Sequence, residues 1–298
     1  MPNPKRLIAI VGPTAVGKTA MAVKLAQHYK TVVVSADARQ FYKEMSIGTA
    51  KPTIEEMDGV PHYFIDSHSI HTPISAGDYE REASAILDSL FERHDLIILV
   101  GGSGLFIKSL IEGLDDMPVV TPETRQNIEN RLAEFGIDNL LEELKEKDLD
   151  YYNVVDKANH RRLIRALEII HTSGKPFSFF KNKTKAERNY TATYIGLNFE
   201  REKLFANINQ RVLNMFEAGL LEEAKNLAPY KHLVTLQTVG YSEIYPYLNN
   251  EYEFDEAVRL IQRNSRIYAK KQLTWFNKVE GVNWFKPFDF EEIVKFLG

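Results

Sequence analysis

Residues 6–19 read RLIAIVGPTAVGKT: an apolar run, a glycine-bearing turn, then lysine and threonine. This stretch constrains the fold more than any other in the chain. Five successive apolar residues, Leu7–Val11, suit a strand covered on both faces. The turn fits G-x-x-x-x-G-K-[ST], and Ala22, Leu25 and Ala26 across Thr19–Tyr29 have the spacing of the helix that must follow. In that setting the loop Gly12, Pro13, Thr14, Ala15, Val16 and Gly17 wraps an anion with backbone N–H groups, at the positive end of a helix. Lys18 adds a full charge, and the Thr19 hydroxyl is placed to hold a Mg²⁺ that bridges phosphate oxygens. The motif implies bound phosphates and leaves open what they are attached to.

The first third of the chain alternates strand and helix. Thr31–Val34 is β-branched and apolar, Tyr79–Arg93 carries Ala83, Ile86, Leu87 and Leu90 at helical spacing, and Leu96–Val100 is a third strand ending in GGSG. The predicted fold is α/β: a P-loop NTPase-like parallel sheet with helices on both faces and a mostly helical insertion domain. Ligands of such sheets gather at the carboxyl ends of the strands, here Gly12–Thr19, Ser35–Gln40 and Gly101–Gly104. At Asp115 the character changes. Thr121 reads as an N-cap with Pro122 at the first helical position, and Glu123–Ile170 is helical and charged. Thr193–Leu197 restores a strand. The remainder reads as helical: Arg201–Phe216, stopped near Gly219, then Leu220–Leu227 and Glu256–Phe276. The expected organisation is a catalytic core over 1–114 and 193–298, with a helical insertion over 115–192.

The 298 residues contain no cysteine, which excludes a disulfide framework or thiol nucleophile and fits a cytosolic setting. The N-terminal apolar run is too short for a signal peptide, and no stretch approaches the roughly 20 apolar residues of a membrane span. With 37 basic and 41 acidic residues the net charge is −4, so a nucleic-acid site must come from local clusters. One cluster is Arg161, Arg162 and Arg165, with Leu163, Leu167 and Ile170 on the opposite stripe. It reads either as a phosphate-contacting face or as a solvated one with an Arg165–Glu168 pair. Another is Arg259, Arg263, Arg266 and Lys270, beside an expected packed side of Val258, Ile261, Tyr268 and Trp275.

NTP-hydrolysing P-loop proteins need an acid at the end of a second apolar strand. LIILV ends in GGSG, so the available acid is Asp37, at the end of VVVSAD. It could hold Mg²⁺ through water, take a proton from an acceptor nucleophile, or serve only as a turn residue.

Seven collinear blocks carry a resemblance. GPTAVGKT, SADARQFYKEMSIGTAKP, GGSGLFIKSLIEGL, HRRLIRALEII, QRVLNMFEAGLLEEA, TVGYSEIYPYL and SRIYAKKQLTWF are similar to the tRNA dimethylallyltransferases. The resemblance implies transfer of a five-carbon group from dimethylallyl diphosphate to N6 of the adenine just 3′ of the anticodon in tRNA. Diphosphate is released with Mg²⁺ as cofactor, and no ATP is consumed. By motif it assigns catalysis to Lys18, Asp37, Ser103 and Arg211, with Asp37 as general base. It places tRNA at Asp37, Ala38, Arg39, Gln40, Ser103, Arg125, Arg161, Arg162 and Arg165. It also implies a monomer. Ser103 stands where relatives usually have Thr, which keeps the hydroxyl and loses the methyl that fixes its rotamer. Ala38 stands where many have Ser, which shifts polar work at the base to Arg39 and Gln40. From the residues alone, Arg211 reads equally as an internal salt bridge. Phe41 and Tyr42 read as lining a passage for an unstacked base or as core.

Two other activities remain open. A P-loop kinase for a nucleotide or small molecule explains the loop and Asp37, but leaves the insertion and AKKQLTWF without purpose. Prenyl transfer to free AMP or ADP shares all the chemistry; the insertion and HRRLIR favour a large anionic acceptor. A non-enzymatic RNA-binding module fits the intact catalytic set poorly.

Overall fold

The computed structural model describes residues 4–181 and 186–298. Six parallel strands form one sheet in the order β3-β2-β4-β1-β5-β6. They are β1 (Arg6–Val11), β2 (Val33–Ser35), β3 (His62–Tyr63), β4 (Leu96–Val100), β5 (Thr191–Leu197) and β6 (Val282–Phe285). β1 lies at the centre, paired with β4 and with β5. Its side chains alternate between two cores, as the two-residue period of a strand requires. Ile8 and Ile10 face one, with Ile98, Ile195 and the helix α1 (Lys18–His28). Leu7, Ala9 and Val11 face the other, with Leu99 and the helices α3 (Ala76–Phe91) and α4 (Gly104–Glu112). A short helix α2 (Ile54–Met57) lies between β2 and β3. Helices on both faces explain why the central strands read as unbroken apolar runs.

The chain divides into two compact units, Met1–Glu112 with Glu187–Gly298, and Gly113–Ala186. Residues before β5 are tied into the first unit: Arg188 Nη2 donates to Glu80 at 2.8 Å and to the Ser109 carbonyl at 3.0 Å. The second unit contains α5 (Pro122–Lys147), α6 (Leu149–Val154) and α7 (His160–Ser173). Thr121 caps α5 by accepting from the Thr124 N–H at 3.2 Å, with Pro122 at the first position. Gly136, at φ 76°, breaks α5 into two helical pieces. Ile128, Leu140, Leu144, Leu163, Leu167 and Ile170 form this unit's own core.

Two strands depart from the reading of the C-terminal remainder as helical and of three strands in the first third. β6 pairs in parallel with β5, from Tyr194↔Val282 to Leu197↔Phe285, and β3 is a two-residue partner of β2. Both are short, partly exposed edges, which carry little apolar periodicity. β6 is held by Trp284, which occupies the space a side chain at Gly196 would need. The other C-terminal helices are α8 (Arg201–Glu217), α9 (Leu220–Leu227), α10 (Ile244–Leu248), α11 (Phe254–Phe276) and α12 (Phe290–Leu297). A further core joins residues 42–50 to α8, α9 and α11 through Tyr42, Met45, Val212, Met215, Tyr241 and Ile261.

The expected packed side of α11 requires correction. Its buried residues are Ala257, Ile261, Ala269, Gln272 and Phe276. Tyr268 and Trp275 are 42% and 38% exposed. The polar Gln272 replaces them inside because it has backbone partners there. No described helix is long and apolar enough to cross a membrane.

Candidate active site

The phosphate loop runs from β1 to α1. Gly12, at φ 143°, lies against the Leu197 carbonyl of β5, where any Cβ would collide. Gly17, at φ 96°, opens α1 without a side-chain cap, which leaves the helix's first N–H groups directed at the loop. Ala15 holds φ 62°, a conformation costly for a residue with a Cβ. Lys18 Nζ donates to the carbonyls of Gly12 at 3.1 Å and Pro13 at 2.8 Å. Arg211 reaches from α8 and donates from Nη2 to the Thr14 hydroxyl at 2.6 Å. The alternative of an internal salt bridge is thus not what its nearest contact shows.

Asp37 follows β2. Its Oδ1 accepts the Arg39 N–H at 3.0 Å, which fixes the turn. The Ser103 hydroxyl accepts the Ala38 N–H at 3.0 Å and so joins the GGSG loop to the segment after β2. That loop is packed too closely for side chains. A Cβ at Gly101 would meet the Ala36 carbonyl, one at Gly102 the Gln272 amide, and one at Gly104 the Trp275 indole.

Charge is concentrated here. Burial lowers the Lys18 pKa to about 8; Asp37 works against that shift and Arg211 adds to it. Burial also lowers that of Arg211, with Asp37 again opposing. One carboxylate is therefore felt by two desolvated cations, an arrangement that favours an added anion.

Two cavities meet at this point. One, about 300 Å³, is lined by the loop residues Ala15 to Ala20 and by Gln272. The other, about 190 Å³, has an apolar wall of Ile208, Val212, Met215, Val239 and Ile261. Thr14, Asp37, Thr49, Arg211 and Tyr268 line both. Thr19 lines the larger cavity, as do Asp37 and Glu56. Among the described residues no group of three or more His, Cys, Asp or Glu could hold a metal. One hydroxyl with nearby carboxylates is the sparse donor set that suits Mg²⁺, which keeps its waters and takes most other ligands from phosphate.

The structure brings Thr14 to Thr19, Asp37, Ala38, Arg39, Ser103 and Arg211 to these cavities, while Gly12 and Pro13 meet the site only through the carbonyls that Lys18 holds. Gln40 lines the larger one, but its amide is committed to the carbonyls of Thr49 at 3.3 Å and Ala50 at 3.0 Å. Phe41 and Tyr42 are fully buried, which decides between their two readings in favour of core.

Arg125, Arg161, Arg162 and Arg165 all belong to the second unit. Arg161 and Arg162 are exposed at the start of α7. Arg125 Nε donates to Glu168 at 2.6 Å and Arg165 Nη1 to the same carboxylate at 3.2 Å. On α11, Arg259 pairs with Glu256 at 2.6 Å, and Arg266 donates to Asn209.

Three site residues escaped the sequence reading. Gln272 accepts the Thr14 N–H at 2.8 Å and donates to the Gly102 carbonyl at 3.0 Å, so it joins the phosphate loop to GGSG. Tyr268 stands one turn earlier on α11. Glu223 accepts the N–H groups of Ser46 at 3.0 Å, Ile47 at 2.8 Å and Gly48 at 2.9 Å, and the Tyr241 hydroxyl at 2.6 Å. It thereby holds the IGTAKP loop from α9. The signal for the first two was the spacing of Ser265, Tyr268 and Gln272, three and four residues apart on one helix face.

A parallel sheet with a glycine-bearing phosphate loop, two half-buried cations and one acid defines a P-loop α/β protein. A sequence model described as IPP transferase matches residues 40–279. The tRNA dimethylallyltransferase of Cytophaga hutchinsonii is 48% identical over 98% of this chain and 96% of its own. The crystal structure of the tRNA isopentenylpyrophosphate transferase of Bacillus halodurans matches with a TM-score of 0.72 and 39% identity, covering 98% of this chain and 95% of that one. A eukaryotic dimethylallyltransferase described as acting on tRNA gives 0.84 at 25% identity, covering 97% of this chain and 75% of its own. The chain belongs to the tRNA dimethylallyltransferase family, whose members are prenyltransferases.

Proposed function

We propose that this chain moves the dimethylallyl group of dimethylallyl diphosphate to N6 of the adenine 3′ of the anticodon in tRNA and releases diphosphate. The carrying observation is the junction of the two cavities. The cationic loop opens on one side, a five-residue apolar wall on the other, and Asp37 and Arg211 stand between. The diphosphate sits against the loop N–H groups and Lys18, and the five-carbon group lies toward Ile208, Val212 and Met215. The allylic C–O bond breaks and its electron pair leaves with the diphosphate. Lys18, Arg211 and the Ser103 hydroxyl stabilise the charge that develops there. N6 forms the new bond to C1, and its proton passes to Asp37. Thr19 would hold a Mg²⁺, which would supply further neutralisation of the leaving group.

The acceptor base must leave its stack to reach Asp37. Arg125, Arg161, Arg162 and Arg165 contact the tRNA backbone, and Arg39 the region of the base. The protein works as a monomer, in the cytoplasm. The test offers dimethylallyl diphosphate with unmodified tRNA, AMP or ADP in parallel, and ATP in a separate phosphoryl-transfer assay. Transfer to tRNA alone is expected. Turnover of AMP or ADP would move the chain to free-nucleotide prenylation, and robust phosphoryl transfer from ATP would make it a kinase.

A further inference from the structure

Glu223, on α9, holds four donors on its two oxygens. Oε2 accepts the N–H groups of Ser46 at 3.0 Å and Ile47 at 2.8 Å. Oε1 accepts the Gly48 N–H at 2.9 Å and the Tyr241 hydroxyl at 2.6 Å. Three successive backbone N–H groups turned to one carboxylate fix the path of the strap 46–48. The strap leads to the site. Gly48 lines the smaller cavity, which also holds the apolar wall, and Thr49 lines both cavities. Gly48 has no side chain, so its backbone is itself the wall there. A Cβ at Gly48 would meet the Tyr241 ring at 2.5 Å, so that ring backs the strap. The carbonyls of Thr49 and Ala50 accept the amide of Gln40, three residues after Asp37. The second glycine of this cavity, Gly240, is held separately. Its N–H donates to Glu243 at 2.8 Å, and Asn264 of α11 donates to the same carboxylate at 2.7 Å.

We propose that Glu223 is a positioning residue for donor selection: by fixing the backbone of Gly48 it sets the wall that fits the five-carbon group and excludes longer chains. This rests on the proposed prenyl transfer. The position requires a carboxylate, because an amide of the same shape has one accepting and one donating end. In Glu223→Gln the oxygen goes to Ser46 and Ile47, whose N–H groups cannot reverse. The NH₂ end then faces Gly48 and Tyr241. Burial, with the charge of Glu223, pushes the Tyr241 pKa up, so its hydroxyl keeps its proton and can rotate to accept instead. The Gly48 N–H has no such choice. The substitution therefore orphans the one N–H of the strap that belongs to the cavity wall. Gly240 and the phosphate loop keep their own partners.

The test compares dimethylallyl diphosphate with its ten-carbon homologue, geranyl diphosphate, on unmodified tRNA. The readout is the ratio of the two kcat/KM values, in which the folded fraction of a variant cancels. The unaltered chain is expected to favour the five-carbon donor. In Glu223→Gln the ratio is expected to move toward the ten-carbon donor by about tenfold, chiefly through a lower kcat with the five-carbon one. Affinity for inorganic diphosphate is expected to stay nearly unchanged. Tyr241→Phe keeps the ring and leaves all three N–H groups held, and is expected to move the ratio by about twofold or less. An unchanged ratio in Glu223→Gln, including ten-carbon turnover undetectable in both chains, would overturn the assignment. So would an equal shift in Tyr241→Phe, or loss of diphosphate binding together with turnover. If Glu223→Gln does not fold, Glu223→Asp, which keeps both oxygens one carbon short, decides by the same ratio: a shift of about threefold supports the assignment and none overturns it. Absence of transfer from dimethylallyl diphosphate by the unaltered chain would instead refute the proposed reaction, so the two failures are distinguishable.

Discussion

In the first unit Lys18 and Arg211 end on neutral oxygens, the carbonyls of Gly12 and Pro13 and the hydroxyl of Thr14. In the second, Arg125 and Arg165 end on the carboxylate of Glu168, which is 1% exposed, and Arg131, Lys147 and His171 on that of Glu143. A desolvated cation on a neutral acceptor keeps most of its charge for a ligand. A guanidinium already on a carboxylate has much of its field cancelled and mainly holds helices together. The charge of Lys18 and Arg211 is thus stored for chemistry, and much of that of Arg125 and Arg165 is used for structure.

The sharpest way to break this contrast is at Asp37, the one acid felt by both Lys18 and Arg211. If those cations serve the leaving group and Asp37 serves the acceptor, Asp37→Ala removes only the acceptor half. Turnover is expected to fall about 10²–10⁴-fold, the usual range for a general base. Binding of dimethylallyl diphosphate, measured by equilibrium titration, is expected to survive. Wild-type turnover would remove the general-base role, and loss of donor binding would make Asp37 part of the phosphate site.

The counterpart in the second unit is Glu168→Gln, which leaves two guanidiniums without their shared anion. Those groups are 56% and 42% exposed, so water recovers part of the loss. A destabilisation of about 1–2 kcal/mol is expected in denaturant unfolding. The donor KM, a property of the first unit, is expected to stay where it was. An unchanged unfolding midpoint would show that the pair is not structural.

Acidity separates the two sets of cations more gently. Burial brings Lys18 to about 8, so its charge is present below that pH and lost above it. Donor affinity is expected to weaken between pH 7 and 9, by up to about tenfold, less to the extent that bound diphosphate raises the lysine again. The arginines of the second unit keep their charge throughout that interval. Their contribution to tRNA affinity is expected to stay flat in the same titration, and a fall of equal size would erase the distinction.

Much of the fold was legible because its signals were local. Leu7–Val11 and Leu96–Val100 are apolar without interruption because helices cover both sheet faces, and Thr121–Pro122 marks the start of α5 by cap chemistry. β3 and β6 were not legible, since a two- to four-residue edge strand is defined by its partner and not by its own pattern. The site divides in the same way. The loop, Lys18, Thr19 and Asp37 could be read from spacing and context. Gln272 and Glu223 act through contacts 258 and about 176 positions away, which no local pattern encodes. Tyr268 and Trp275 were misread because an aromatic at helical spacing looks like core, whereas α11 turns a polar glutamine inward and Tyr268 toward the cavities.

The smallest expected effect tests the contrast within α7 itself. Arg161 is exposed at the first turn, while Arg165, one turn on, holds Glu168 at 3.2 Å. If both reached phosphate equally, each replacement by Ala would remove one displaced counterion. The slope of log affinity for tRNA against log salt would then drop by about 1 in both cases. The geometry predicts inequality. Arg161→Ala is expected to reduce the slope by close to the full amount and to weaken tRNA binding a few-fold at low salt, with stability unchanged. Arg165→Ala is expected to change the slope less, because Glu168 already offsets that charge, and to lower the unfolding midpoint instead. Equal slopes and equal midpoints for the two variants would show that a carboxylate partner does not decide which arginines of this unit are available to RNA.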